Sequence, residues 1–298
     1  MAPQEITLAA ATRNNLLSLQ NTTTLIGRTQ ERLATGKSVN NAIDDALAYF
    51  KARNLSARAS DFQAVKANIN EGVNIIRATV QGLESMESVL KQMKALAQSA
   101  IAAPESSTRV SLANQFNELR TQVDNLAEDA SYNVVNLLKN SVTAFQGGSD
   151  RLTVKFNERV DATAVNQLIV SGVTTANYTQ MMASSALATG AAGLTTVWGQ
   201  TGAAAVTGMT AAIRAIDSAL VTVRQNAQTF GANSAMLSIR AEFTTNIVNT
   251  LKSGAQSLVN ADLNEESANL LSLQTRQQLG TVSLGIAQQS EQSVLRLF

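Results

Sequence analysis

Between residues 62 and 97 an apolar side chain returns every seven residues: Phe62, Ile69, Ile76, Leu83, Leu90 and Ala97. Val65, Val73, Val80, Met86 and Met93 fill the turns between them. A repeat sustained this long commits the segment to one long helix with a coiled-coil seam, because only the helical period keeps those positions on one face. Little stands in its way. Gly72 and Gly82 cost about 1 kcal/mol each relative to alanine, which a long seam absorbs. Pro3 and Pro104 are the only prolines of the 298 residues. Pro104 ends the helix and suits the first turn of the next. That second helix is predicted to run to about Glu128 on a stripe of Val110, Leu112, Phe116, Leu119, Val123 and Leu126.

The two chain ends have the same character. Residues 5–40 and 262–298 read as solitary amphipathic helices. Leu19, Ile26 and Leu33 recur every seven residues in the first, and Leu279, Val282 and Ile286 form a stripe in the last. The first carries Arg13, Arg28, Arg32 and Lys37 against Glu5 and Glu31, net +2. The last carries Asp262, Glu265, Glu266 and Glu291 against Arg276 and Arg296, net −2. Opposite charge and matched stripes predict that the ends pack on each other. A helix of ~36 residues is ~54 Å long. A hairpin of two such helices leaves apolar surface that only other chains can cover. The ends therefore point to assembly.

Composition removes several function classes. Histidine and cysteine are absent. An imidazole base, a thiolate nucleophile, a Cys/His metal site and any disulfide are thereby excluded. Net charge is +1 with no basic face, so nothing indicates nucleic acid, and no apolar run indicates a membrane span. The N-terminus lacks the charged and apolar regions of a secretory signal, so secretion needs another route. The reading is a non-enzyme without cofactor.

The pattern changes after Asp129. Leu152, Val154 and Phe156 alternate with Thr153 and Lys155, after a turn at Gly147-Gly148-Ser149-Asp150, and Leu168-Ile169-Val170 is a second strand. Gly147-Gly148 is not a phosphate loop, since no Lys-Ser/Thr follows. Residues 174–208, rich in Ala, Thr, Gly and Ser, read as an exposed variable insert with Trp198 as its one large anchor. Helical period returns from Met209, with Leu237, Ile247, Leu251 and Leu258, and breaks at Asn260-Ala261-Asp262. The predicted fold is mainly α: an elongated antiparallel coiled-coil bundle built from both chain ends, with a small β-hairpin and a short insert. Its parts are residues 1–40, 41–173, 174–208, 209–261 and 262–298. Asp44-Asp45 is read as a helix-start pair, because adjacent helical carboxylates do not face one another. Thr35-Gly36, between two helical patterns, is read as a hinge.

The run from Arg32 to Ala46, RLATGKSVNNAIDDA, resembles the bacterial flagellin pattern RLSSGxxINxAxDDA. Asp262 to Ala268, Gln277 to Gly280 and the ending from Gln292 to Phe298 resemble the flagellin C-terminal helix. Asn133 to Leu138 loosely resembles its FNGxxL turn, with Val134 in the glycine's place. The DDALAYF continuation and short central region look most like alphaproteobacterial flagellins. The resemblance spans roughly 1–140 and 209–298. It implies a subunit of the extracellular flagellar filament, exported unfolded through the type III apparatus and polymerised at the tip. Its implied partners are copies of itself, alone or with other flagellins, an export chaperone, and hook-associated and cap proteins. A hook–filament junction adaptor is the alternative.

On this reading Leu19, Ile26, Leu33, Leu279, Val282, Ile286 and Val294 form the assembly interface. Phe62, Ile69, Ile76, Leu83 and Leu90 form the outer-core seam. Ordering costs about 1–2 kcal/mol per residue of backbone, so the ends are expected to fold only when neighbours cover them. Flagellins that activate the innate immune receptor resemble LQRVRELAVQ on the long outer-core helix. Gln92, Lys94 and Ala95 mark where this chain departs from that patch.

Overall fold

The computed structural model describes residues 10–138, 151–157, 166–173, 190–200 and 202–295. Among them the chain forms α1 (Ala10–Thr35), α2 (Ala46–Ala102), α3 (Ser106–Asp129), β1 (Arg151–Lys155), β2 (Gln167–Ser171), α4 (Gly190–Gly199), α5 (Ala203–Val259) and α6 (Leu263–Leu295). Contacts divide the chain into two units. One is Met1–Ala59 with Asn249–Phe298, the other Ser60–Val248. These divisions lie further into α2 and α5 than the sequence boundaries at 40 and 262.

The second unit contains a contiguous apolar core. Ile69, Ile76, Leu83, Leu90, Met86 and Met93 of α2 are wholly buried, and Phe62 at the start of the seam is half-buried. The heptad seam thus faces inward along most of its length. Phe116 and Val123 of α3 and Ile216, Val223 and Leu237 of α5 join the same core. β1 and β2 pair antiparallel, with Leu152 opposite Val170 and Val154 opposite Leu168. The alternation in β1 buries Leu152 and Val154 and exposes the residues between, as period-two patterning requires. A Cβ on Gly72 would lie 2.7 Å from Val154, and one on Gly82 would lie 2.6 Å from the Ala130 side chain. Both glycines admit a neighbour, which is the return on their helix cost. Polar ties join α2 and α5: Lys94 donates to Asp217 at 2.6 Å, and Arg224 to Glu87 at 2.9 Å.

The insert reading needs correcting at its C-terminal end. Gly190–Gly199 is helical, and α5 starts at Ala203 rather than Met209. Trp198 is fully buried, its ring 5.3 Å from that of Phe116. Arg109, itself buried, donates to the carbonyls of Trp198 (2.9 Å), Gln200 (2.8 Å), Ala103 (3.0 Å) and Pro104 (2.8 Å). One guanidinium therefore satisfies the carbonyls just past α2 and at the end of α4, where helix dipoles favour a cation. Small residues with no periodic stripe concealed this packing. Residues 174–189 and the Gly147–Asp150 turn lie outside the described residues. By length and composition α5 is apolar enough to cross a membrane. Its Met209, Ala212, Ile216, Ala219 and Val223 are instead buried in the second unit's core.

Val134 has φ +65°, beside Asn133 at +47°. A β-branched residue is strained there, and a glycine is not. The turn is held nonetheless: Tyr132 and Val135 exchange backbone hydrogen bonds, and the Asn136 amide donates to Ala127 and Glu128 carbonyls at 2.8 and 3.1 Å. Leu137 and Leu138, which follow, are fully buried.

Candidate functional site

The first unit is organised around α1 and α6, which pack on each other. Arg32 reaches Glu266 at 2.9 Å, while Leu19 abuts Gly280, so the two run antiparallel. Along α1 and at the Gly36 that ends it, the covered positions are Thr12, Asn15, Leu19, Thr22, Ile26, Thr29, Leu33 and Gly36, with Arg32 also partly covered beside Glu266. On α6 they are Glu266, Leu270, Leu273, Gln277, Gly280, Leu284 and Ala287. Both sets step by alternating threes and fours, the spacing of a coiled-coil seam. Much of this seam is polar or small. A Cβ at Gly280 would come within 2.7 Å of Leu19, so the approach depends on that glycine.

Leu19, Ile26 and Leu33 therefore face α6 of their own chain, as the matched-ends reading expected. The C-terminal half of that reading was wrong. Leu279, Val282 and Ile286 are 65%, 61% and 62% exposed and do not pack on α1. Sequence reasoning chose the outer of two apolar stripes. The inner one, Leu270-Leu273-Leu284, sits two residues out of phase, about 200° round the helix. Its heptad spacing was the available signal, but Gln277 and Gly280 interrupt it. Leu271, 67% exposed, extends the outer stripe. The Val294 side chain lies outside those described.

The link from α1 to α2 shows why the RLATGKSVNNAIDDA stretch has its composition. Gly36 takes φ +68°, and its amide donates to the Arg32 carbonyl at 2.8 Å, ending α1 in the left-handed conformation glycine favours. The Thr35 hydroxyl donates to Glu31 at 2.8 Å and accepts from the Asn40 side chain at 3.0 Å. Ser38 donates from its amide to the Val259 carbonyl at 2.8 Å, and Ala261 donates to that of Gly36 at 3.0 Å. The turn after α1 is thus stitched to the turn before α6. The two aspartates divide their work. Asp45 accepts from the Ala48 amide at 2.9 Å and caps α2. Asp44 accepts from the amides of Asn41 (3.0 Å) and Asn40 (3.1 Å) and from Arg28 (3.3 Å). Those two amides, and then Arg28, hold its carboxyl below the usual range. Asp262 caps α6 through the Asn264 amide at 2.9 Å.

In the second unit Gln92 and Ala95 are exposed, while Lys94 is engaged by Asp217. Among the described residues no group of three or more carboxylates is placed to hold a metal ion. The surface that stands out is the outer apolar stripe of α6.

Comparison with known proteins matches both ends of the chain. Residues 6–143 match the bacterial flagellin N-terminal helical region, and 213–298 the bacterial flagellin C-terminal helical region. The chain is 31% identical to flagellin FljK of Caulobacter vibrioides over the full length of both. It is 32% identical to flagellin FljO of that organism and 25% to a flagellin of Brucella melitensis, each over 95% of both chains. The crystal structure of Bacillus cereus flagellin aligns with 59% of this chain and 88% of its own, at 16% identity and a TM-score of 0.44. With both end regions matched in order and a relative 31% identical throughout, this chain belongs to the bacterial flagellins, the structural subunits of the extracellular flagellar filament.

Proposed function

We propose that the outer stripe of α6, Leu271, Leu279, Val282 and Ile286, continued by Val294, is the face through which one copy packs on others in the filament. The carrying observation is its exposure: Leu279, Val282 and Ile286 lie on one helix face, each more than 60% open to solvent. Burying them at about 25 cal/mol per Å2 supplies the driving force that the thin α1–α6 seam lacks. Leu19, Ile26 and Leu33 serve assembly indirectly, by holding the helix that presents the stripe. Residues 1–40 and 262–298 form the inner core on this reading, with Thr35-Gly36 as the hinge to the outer core of 41–173 and 209–261.

Leu279→Asp and Ile286→Asp test it. Each puts a charge into the copy–copy contact at a cost of several kcal/mol per subunit. Both variants should lose filaments in sedimentation and electron microscopy while the second unit keeps its circular dichroism. Normal filaments from both would mean the stripe faces solvent in the assembly.

The fuller reading includes export as an unfolded chain, supported by the absence of disulfides and the two prolines. An export chaperone, the type III apparatus and cap and hook-associated proteins are then its transient partners. The chain has no catalytic role, in keeping with its lack of histidine and cysteine. No observation favours the hook–filament adaptor. Gln92 and Ala95 present neither the guanidinium nor the carboxylate of the activating patch, and the Lys94 ammonium is held by Asp217. Weak activation of the flagellin receptor follows. A reporter-cell assay on depolymerised protein checks it, with potency equal to an activating flagellin as the contrary result.

A further inference from the structure

The seam between α1 and α6 is too poor in apolar side chains to decide by itself how the two helices align. It has two fixed points, Leu19 against Gly280 and Arg32 against Glu266. Seven residues on from Leu19 and seven back from Gly280, Ile26 stands opposite Leu273. By the same spacing Leu33 stands opposite Glu266, and Thr22 opposite Gln277. Sliding α6 by one heptad, about 10 Å, would set Leu33 opposite Leu273, Ile26 opposite Gly280 and Leu19 opposite Ala287. That register has no fewer apolar pairs than the observed one, so burial of apolar surface does not choose between them. What the slide forfeits is polar. Glu266 would pass beyond the end of α1 and leave Arg32. The opposite slide would press the Glu266 carboxylate against Ile26, a buried charge without a partner. The stitched turns oppose either slide from outside the helices, and within the seam the ion pair does so.

The pair is built for this. Glu266 is 8% exposed, and Arg32 donates to it at 2.9 Å. Arg32 lies in the last turn of α1 and Glu266 in the first turn of α6, so each suits the dipole of its own helix. Antiparallel pairing brings those two turns together. A buried ion pair adds little net stability over apolar residues of like volume. At a single seam position it does discriminate, because other alignments strand it.

We propose that Arg32 and Glu266 are positioning residues that set the register of the end helices, holding α6 at one axial position on α1. The consequence for filaments rests on the assembly reading above: that position places the outer stripe for neighbouring copies.

The chain has no cysteine, so introduced thiols report the register without interference. Thr22→Cys, Thr29→Cys and Gln277→Cys in one full-length chain leave the apolar seam residues in place. A 22–277 disulfide marks the observed register, and a 29–277 disulfide the slid one. In a glutathione buffer, above the polymerisation threshold, mass spectrometry should find the first in excess and within single chains. Arg32→Leu with Glu266→Leu should cut that excess about tenfold, the loss of a hydrogen bond between charged groups. Helix content by circular dichroism should stay unchanged. Arg32→Lys should keep the excess, because the contact is one Nη1–Oε1 pair. A merely stabilising role predicts the reverse, helix lost at an unchanged disulfide ratio, and that result overturns the proposal. So does an Arg32→Lys loss equal to that of the leucine pair, an initial excess of the 29–277 disulfide, or a predominance of disulfides between chains. The polymerisation threshold separates the two readings. Lost register with normal filaments keeps the register pair and removes the α6 stripe reading. Kept register in the leucine pair removes the register pair and leaves the stripe reading standing.

Discussion

Among the described residues the first unit buries few apolar side chains: Ile26 on α1, and Ala52, Ala59 and Ala255 elsewhere. The second buries Trp198, Phe116 and a continuous run of Ile, Leu, Met and Val. Both are helical and similar in composition, so helix propensity does not separate them. They differ in what the helices have to pack against. In the second unit, α2, α3, α4, α5 and the hairpin contribute to one core. In the first, the seam between α1 and α6 is thin and its opposite apolar face is empty. Secondary structure read from a pattern is thus no measure of autonomous stability, because most helix stability in water comes from packing. The second unit holds a contiguous apolar core, whereas the first leaves the outer apolar stripe of α6 open to solvent, the face proposed above for other copies.

The most direct way to break that contrast is hydrogen exchange on monomer and filament. Residues 1–40 and 262–298 should exchange rapidly in the monomer and become strongly protected on polymerisation, while 60–248 changes little. Equal protection of the ends in both states would remove folding coupled to assembly. Trp198→Ala should follow in size, costing about 3–5 kcal/mol of second-unit stability in denaturant melts. By the same reasoning, deleting residues 180–203 should cost soluble, folded protein, because it removes Trp198 and one of the carbonyl sets that satisfies buried Arg109. Tolerance of the deletion would show that α4 is dispensable to the core. Ile26→Ala sharpens the comparison from the other side. A buried isoleucine in a folded core loses about 2 kcal/mol or more on truncation. Here monomer stability should stay unchanged and the polymerisation threshold should rise.

Smaller effects test the second unit locally. Val134→Gly should stabilise it by about 1 kcal/mol, since a non-glycine residue in the left-handed region stores ~1–3 kcal/mol and glycine's extra unfolded-state entropy offsets part of the gain. A destabilised variant would mean the valine side chain packs favourably enough to outweigh the strain. The smallest effect concerns Glu87. Hydrogen bonds from Lys91 and then Arg224 hold its carboxyl below the usual glutamate range. A lowered carboxylate pKa contributes stability that is present above the unfolded value and is lost as pH falls through the folded one. Both cations are more than half exposed, so Arg224→Gln should cost only ~0.2–1 kcal/mol at pH 7. The cost should vanish below the folded pKa. A difference that persists in acid would assign it to packing of the Arg224 stem.

The sequence alone determined the long heptad helix, its stop at Pro104, the alternation of β1, the glycine end of α1 and the matched character of the two termini. Each is a local matter of period, proline geometry, left-handed backbone or charge, and needs no knowledge of neighbours. It also excluded imidazole and thiol chemistry outright. Tertiary structure decided what depends on a partner. Two apolar stripes on α6 were both legible, but only the approach of α1 at Gly280 selected Leu270, Leu273 and Leu284 as inner and left Leu279, Val282 and Ile286 outside. Asp44 and Asp45 were both plausible caps, and the fold of the turn gave the cap to one and the Asn40–Asn41 amides to the other. Trp198 looked like an anchor in a loose insert, and only packing on Phe116 made it core. Arg109 carried no signal, because its role is to satisfy carbonyls that come together only when α2, α3 and α4 meet. Periodicity fixes which faces exist, and packing fixes which of them are filled.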